Sequence, residues 1–147
     1  MILVVSPNLA VDQTVYVDHL VAGQVHRSKS TRRAPGGKGV NVSRVLTTLN
    51  VPFLLTGFVG GSQGEFISQG LKEEMISFKP CPIQSESRTC YLLVDEERLQ
   101  QTVVNEPGPV IRPEESASLG SIFRGELSRA KWVIFSGSLP PRGTNRM

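Results

Sequence analysis

Pro35-Gly36-Gly37-Lys38-Gly39-Val40-Asn41-Val42 is a glycine-rich turn that carries one cation and opens into a helical apolar pattern. Three glycines in four positions allow backbone conformations that side chains forbid, and they let a ligand approach the main chain closely. The helix that follows aims unpaired N–H groups and the positive end of its dipole at the same point. Together these features read as an anion site whose guest is a phosphorylated or polyhydroxylated small molecule. A bare two-glycine turn reads instead as a tight connection, and Lys38 with Asn41 brings the two readings level. The run lacks the spacer and the Lys-Ser/Thr pair of a P-loop and is not GxGxxG, so ATP binding does not follow from it.

Working outward, Val42, Val45, Leu46 and Leu49 follow the i, i+3, i+4, i+7 rule and predict an amphipathic helix launched by the turn. Upstream, Leu3-Val4-Val5 ends at Pro7-Asn8, the pattern of a buried strand that opens into a loop. Thr14 to Asp18 and part of Val25 to Thr31 alternate, which predicts strands with one wet face. Downstream, Val51 to Val59 reads as a second buried strand and Glu65 to Met75 as a helix with Ile67, Leu71 and Met75 on one face. Such β-α-β alternation implies a parallel sheet. Arg88 to Val94 and Leu99 to Val104, joined by Asp95-Glu96-Glu97-Arg98, read as a hairpin that pairs with the earlier alternating strands. Pro113, followed by Glu114 and Glu115, starts a helix carrying Leu119, Ile122, Phe123 and Leu127, and Lys131 to Phe135 reads as a final buried strand.

The bulk properties bound the function. With 147 residues, 39% hydrophobic and 20% charged, the chain is the size of one globular domain with a core of its own. Met1 to Val5 is apolar for only five residues, has no basic region before it and meets Pro7-Asn8, so it reads as neither a secretory signal nor a membrane span. A cytoplasmic protein is expected. Cys81 and Cys90 have neither CxxC spacing nor nearby histidines, so reduced thiols and no metal site are expected. Cys90 sits in a strand-like run where a small apolar residue suits packing. The sequon Asn41-Val42-Ser43 stands at a helix start, the wrong place for a glycan. The net charge of +3 is concentrated at Arg27, Lys29, Arg32 and Arg33, without the interleaved aromatics of single-strand binders. That cluster reads as a solvated face or a funnel for an anionic metabolite, and no nucleic acid is expected.

A doubly wound core binds ligands beyond the carboxyl ends of its strands. Asn8 to Asp12, Gly60-Gly61 and Ser136-Gly137-Ser138 stand there, and the glycine turn belongs to the same rim. Asp12 can accept hydrogen bonds from sugar hydroxyls, although alone it reads as an ordinary surface acid. Arg88 offers a planar fork to a phosphate, and alone it is an exposed strand arginine. Ser136 and Ser138 form either a ligand-contacting loop or a generic strand exit.

The combination of Asn8…Asp12 with Val17-Asp18, Gly36 to Val42, Thr56-Gly57-Phe58-Val59-Gly60-Gly61, Arg88-Thr89-Cys90, Asn105-Glu106-Pro107-Gly108-Pro109 and Ser136-Gly137-Ser138-Leu139-Pro140-Pro141 resembles the PfkB, or ribokinase-like, carbohydrate kinases. Within them it is similar to the 1-phosphofructokinase and tagatose-6-phosphate kinase branch, in family order from Ile2 to Pro141. The resemblance implies an α/β/α parallel-sheet core, here its N-terminal half, with a small β-sheet lid formed by segments approximately 13–33 and 86–105. It also implies roles. Asp12, Gly37, Lys38 and Asn41 are expected to contact a sugar phosphate, Arg88 to hold its phosphate from the lid, and Ser136 to shape the sugar pocket.

In the family the γ-phosphoryl group of ATP, with Mg2+, passes to a hydroxyl of fructose 1-phosphate or tagatose 6-phosphate. The base is an aspartate in a Gly-Ala-Gly-Asp motif of the C-terminal half. Arg142-Gly143-Thr144-Asn145-Arg146-Met147 does not resemble it, and Arg142 stands where the family has glycine. The expectation is therefore a sugar-binding half with no catalytic base, little ATP or Mg2+ binding and no activity alone. A non-catalytic binding module or the remnant of a truncated kinase gene is the alternative. Expected partners are the sugar phosphate and either a second copy through the lid sheet or a C-terminal half.

Overall fold

The apolar run at the N-terminus becomes β1 (Ile2–Val5) of a computed structural model in which the structure describes residues 1–141. The reading of Arg142 to Met147 lies outside the described residues. After β1 come β2 (Ala10–Val17), β3 (Ser30–Gly36), α1 (Lys38–Thr48), β4 (Phe53–Val59), α2 (Gly61–Glu73), β5 (Phe78–Pro82), β6 (Arg88–Asp95), β7 (Gln100–Asn105), α3 (Pro113–Leu127) and β8 (Trp132–Phe135).

Two four-stranded sheets result, ordered β5-β4-β1-β8 and β3-β2-β6-β7. Every pairing in the first is parallel, with Val4 opposite both Leu55 and Ile134. Leu3 and Val4 are wholly buried because helices cover both faces of this sheet, which is why β1 reads as a continuous apolar run. Val40 and Leu46 of α1 and Ile67 and Leu71 of α2 pack with Val4, Leu55 and Val59. On the other face Leu119 and Ile122 of α3 pack against Phe58, Cys81 and Ile83. Each such fully buried aliphatic side chain contributes about 1.5–3 kcal/mol relative to exposure. The α/β/α core with a second small sheet is thus the fold class expected from the sequence.

The second sheet pairs β2 antiparallel to β3 and parallel to β6, with β7 antiparallel to β6. The hairpin β6–β7 therefore joins the earlier strands, as its alternation predicts. Its turn is tied to the loop after β2. The Asp95 carboxylate accepts from the Leu20 and Arg98 N–H groups at 2.9 and 2.8 Å, and Lys29 reaches both Asp18 and Glu96.

Several local readings are corrected. Residues 25–29 form no strand, and the regular segment starts at Ser30, where β2 supplies a partner. Met75 does not share a face with Ile67 and Leu71. The helix ends before it, Met75 and Ile76 donate back to Lys72 and Leu71, and at φ 56° the turn leaves Met75 in solvent. β5 was not anticipated, because Phe78-Lys79-Pro80-Cys81-Pro82 carries two prolines. An edge strand tolerates them, since one side needs no N–H donors. β8 forms as expected but is not buried. It is the opposite edge, and Trp132 and Phe135 are 73% and 68% exposed. Among the described residues no helix is long and apolar enough to cross a membrane.

Candidate sugar-phosphate site

The carboxyl ends of the parallel strands and the near face of the small sheet enclose a cleft of about 450 Å³. Asp12 enters it from β2, opposite Ala34 of β3 and Cys90 of β6. Its neighbour across the wall is Gly36, where an added Cβ would lie 2.2 Å from the Asp12 carboxyl carbon and would displace that carboxylate. Gly37 then caps α1 at φ 110°, without a side-chain cap and with no acid in the first turn. The helix accordingly begins at Lys38, four residues ahead of the first apolar position that signals it. Val40 and Asn41 N–H groups already return to the Gly37 carbonyl, while Lys38 and Asn41 line the cleft.

Arg88 closes the opposite side. Its Nη1 donates to the Glu106 carbonyl at 3.0 Å and its Nη2 to the Asn8 carbonyl at 3.2 Å, while its Nε is buried without a partner among the described residues. Asn8 is fastened in turn, its Nδ2 donating to the Pro107 carbonyl and the Ser138 hydroxyl, each at 3.1 Å. Asn8 Oδ1 is buried and has no partner among the described residues. Unsatisfied buried groups of this kind are uncommon, and here two of them stand on residues lining one cleft. Burial pushes the Asp12 carboxyl above its ordinary value, and the positive charges of Arg44 and Arg88 oppose that rise. Burial likewise pushes the Cys90 and Cys81 thiols up, which keeps both protonated and poor nucleophiles.

Of the residues singled out from the sequence, Asp12, Gly37, Lys38, Asn41 and Arg88 line this cleft, and Ser136 does not. Ser136 is used by the sheet: its N–H donates to the Val5 carbonyl at 3.0 Å, and the strand exit presents Gly137 and Ser138 to the cleft instead. Sequence reasoning passed over Asn8 as a site residue and missed Arg44 altogether. Asn8 was legible as the asparagine just past the first strand. Arg44 carried no signal, since a helix arginine three residues after Asn41 looks like any solvated charge.

Cation funnelling is not what the basic cluster does throughout. Arg33 lies over the Phe66 ring at 4.5 Å and bonds Gln63, and Lys29 is tied to two acids. Among the described residues no group of three or more His, Cys, Asp or Glu side chains is placed to hold a metal ion.

A parallel core thus carries a small sheet over a cleft lined by Asp12, Lys38, Asn41 and Arg88 at its carboxyl rim. The pattern of the pfkB family carbohydrate kinases matches residues 3–147, and the chain belongs to that family. A protein described as a possible 1-phosphofructokinase from Thermotoga maritima is 32% identical, with a TM-score of 0.87 over 96% of this chain and 46% of that one. Phosphofructokinase-2 from Escherichia coli, solved with fructose-6-phosphate, shares the fold at 21% identity, with a TM-score of 0.86 over 95% of this chain and 46% of that one. The tetrameric inhibited form of the same enzyme matches at 23% identity and a TM-score of 0.90. The chain spans a little under half the length of these relatives.

Proposed function

We propose that this chain is the acceptor-binding half of an ATP-dependent sugar-phosphate kinase of the phosphofructokinase kind, taking fructose 1-phosphate or tagatose 6-phosphate. The observation that carries the reading is the convergence of Asp12, Lys38, Asn41 and Arg88 on one cleft. Lys38 and Arg88 supply positive charge for a phosphate, Asn41 supplies an amide, and Asp12 supplies a carboxylate to accept from sugar hydroxyls. Held this way, the acceptor hydroxyl is oriented before any phosphoryl donor arrives, and positioning together with electrostatic stabilisation makes up almost all of catalysis in phosphoryl transfer.

ATP and Mg2+ belong to the reaction of the whole enzyme, and the described residues do not fit them. The glycine turn has neither the spacer nor the Lys-Ser/Thr pair of a P-loop, and among the described residues no group of three or more His, Cys, Asp or Glu side chains gathers for a metal ion. The 147 residues contain no Gly-Ala-Gly-Asp sequence. Calorimetry without ATP tests the acceptor role. Fructose 1-phosphate or tagatose 6-phosphate is expected to bind with a micromolar Kd, about −8 kcal/mol, while unphosphorylated fructose gives no heat. A folded chain that binds neither phosphate overturns the reading, and saturable ATP-dependent turnover by the chain alone overturns its restriction to the acceptor half.

The partner we assign to the open edge of β8 is the remaining half of such a kinase. Trp132, Phe135 and Leu139 stand exposed there, beside an apolar cavity of about 710 Å³ between α3 and the strand exit. An uncovered strand edge with apolar flanks recruits another strand. Mixing the chain with a separately produced C-terminal half of the Thermotoga maritima relative is expected to give a one-to-one complex with ATP-dependent sugar-phosphate kinase activity. Failure of two folded halves to associate refutes the assignment.

A further inference from the structure

Arg44 stands one helical turn beyond Asn41 and gathers three elements at one guanidinium. Its Nε and Nη2 donate to the two Glu74 carboxylate oxygens, both at 2.7 Å. Nη2 also donates to the Pro35 carbonyl at 2.9 Å, and Nη1 donates to Asn41 Oδ1 at 3.1 Å. Pro35 is the residue before the glycine turn, Asn41 lines the cleft, and Glu74 caps the end of α2 outside it. The Arg44 and Glu74 side chains are about one-third exposed (35% and 32%), so the forked pair is shielded more than a free surface pair.

Glu74 pairs with the guanidinium, whose charge still acts on Asp12. What Arg44 gives Asn41 is geometry. An asparagine amide has an acceptor oxygen at one end and an NH2 donor at the other. With Oδ1 engaged by Arg44, the group that Asn41 retains for a cleft occupant is the NH2. The wall formed by Asn41 and Lys38 then offers donors and selects oxygen acceptors, whereas Asp12 offers an acceptor and selects hydroxyl groups.

We infer that Arg44, held by Glu74, is a positioning residue of the cleft that sets Asn41 as a donor toward phosphate or sugar oxygens and steadies the glycine turn through the Pro35 carbonyl. The ligand class rests on the sugar-phosphate reading above, while the orientation of Asn41 does not. Lysine keeps the charge of Arg44, but its three donors sit on one nitrogen with no planar fork, so it cannot reproduce the four bonds that three guanidinium nitrogens make to Glu74, Pro35 and Asn41. An ordinary structural ion pair predicts that Arg44→Lys lowers the melting temperature and leaves the affinity of the folded chain unchanged.

The test uses the full 147-residue chain and four proteins: wild type, Arg44→Lys, Asn41→Ala and the double variant. Arg44→Lys is expected to weaken fructose 1-phosphate binding about 10-fold in calorimetry, the scale of one charge-assisted hydrogen bond. Because Arg44 acts through Asn41, the same change in the Asn41→Ala background is expected to have less than a 2-fold effect, a strong departure from additivity. In parallel, NMR of the ligand-free chain follows the Asn41 side-chain NH2 resonances, which are expected to move toward those of a free asparagine in Arg44→Lys. Unmoved resonances overturn the positioning role whether or not ligand binds. An unchanged Kd in folded Arg44→Lys, or additive losses, also overturns it. If the wild type binds no sugar phosphate while the Asn41 resonances shift, the ligand assignment falls and the positioning role stands.

Discussion

Arg88→Ala is expected to weaken fructose 1-phosphate binding by at least about 100-fold, since two charge-assisted hydrogen bonds contribute about 1.5–3 kcal/mol each and every 1.4 kcal/mol is tenfold. The side chain is held ready for that task. The Glu106 and Asn8 carbonyls take Nη1 and Nη2, and among the described residues they leave the buried Nε without an acceptor along a cleft that also holds Lys38. Two consequences separate this account from a general charge effect. Arg88→Lys preserves the charge but cannot hold two carbonyls and a phosphate together, so it is expected to recover no more than a tenfold share of the loss. Arg32→Ala, on the exposed part of β3, is expected to leave Kd within about 2-fold, because an exposed charge beyond the cleft is screened by solvent and salt. Calorimetry on the three variants decides it, and equal losses for Arg88→Ala and Arg32→Ala contradict the assignment.

The second large effect is on stability. A Cβ on Gly57 of β4 would lie 2.1 Å from the Ser6 carbonyl oxygen and 3.2 Å from Leu9 Cδ1. The first is backbone, and the second is a methyl group enclosed in the core. Ser6 is pinned by its N–H donating to Thr56 at 2.9 Å, and Leu9 is 1% exposed. Gly57→Ala is therefore expected to destabilise the chain by about 3 kcal/mol, the upper part of the overpacking range, in urea unfolding followed by circular dichroism. Because Ser6 to Leu9 lead to Asp12, the folded remainder is also expected to bind more weakly. Gly125→Ala is the matched control: it lies inside α3 with nothing within 4 Å of the added Cβ, and is expected to stabilise by about 0.5–1 kcal/mol. Two glycines in regular elements thus give opposite signs, and only the neighbouring backbone distinguishes them.

Much of this was legible along the chain because parallel strands buried on both faces and helices with one apolar stripe leave strong periodic signals. β1, β4, α1 and α2 are of that kind. What stayed illegible depends on position in the sheet. The prolines of β5 argue against a strand until it is known to be an edge. Trp132 and Phe135 look like core residues and stand at the other edge, where the described chain supplies no cover. Met75 continues the helical stripe of Ile67 and Leu71, yet the helix ends at Glu73 and the chain reverses at Met75 itself.

The glycine turn divides the same way. Sequence alone determined that Gly36 to Gly39 form a tight, cation-bearing helix start, because spacing, residue type and the absence of a nucleotide motif are local facts. It also determined the parallel core and the family resemblance. Only the tertiary structure decided what the turn faces. Packing of the small sheet against the core's rim puts Asp12 against Gly36, brings Arg88 across from 50 residues downstream of Lys38 and substitutes Ser138 for Ser136 at the cleft. It also recruits Arg44 to hold Asn41. The reason is physical: hydrogen bonds and charge pairs across the fold depend on which surfaces are brought within about 3 Å of one another, and no sequence periodicity encodes that distance.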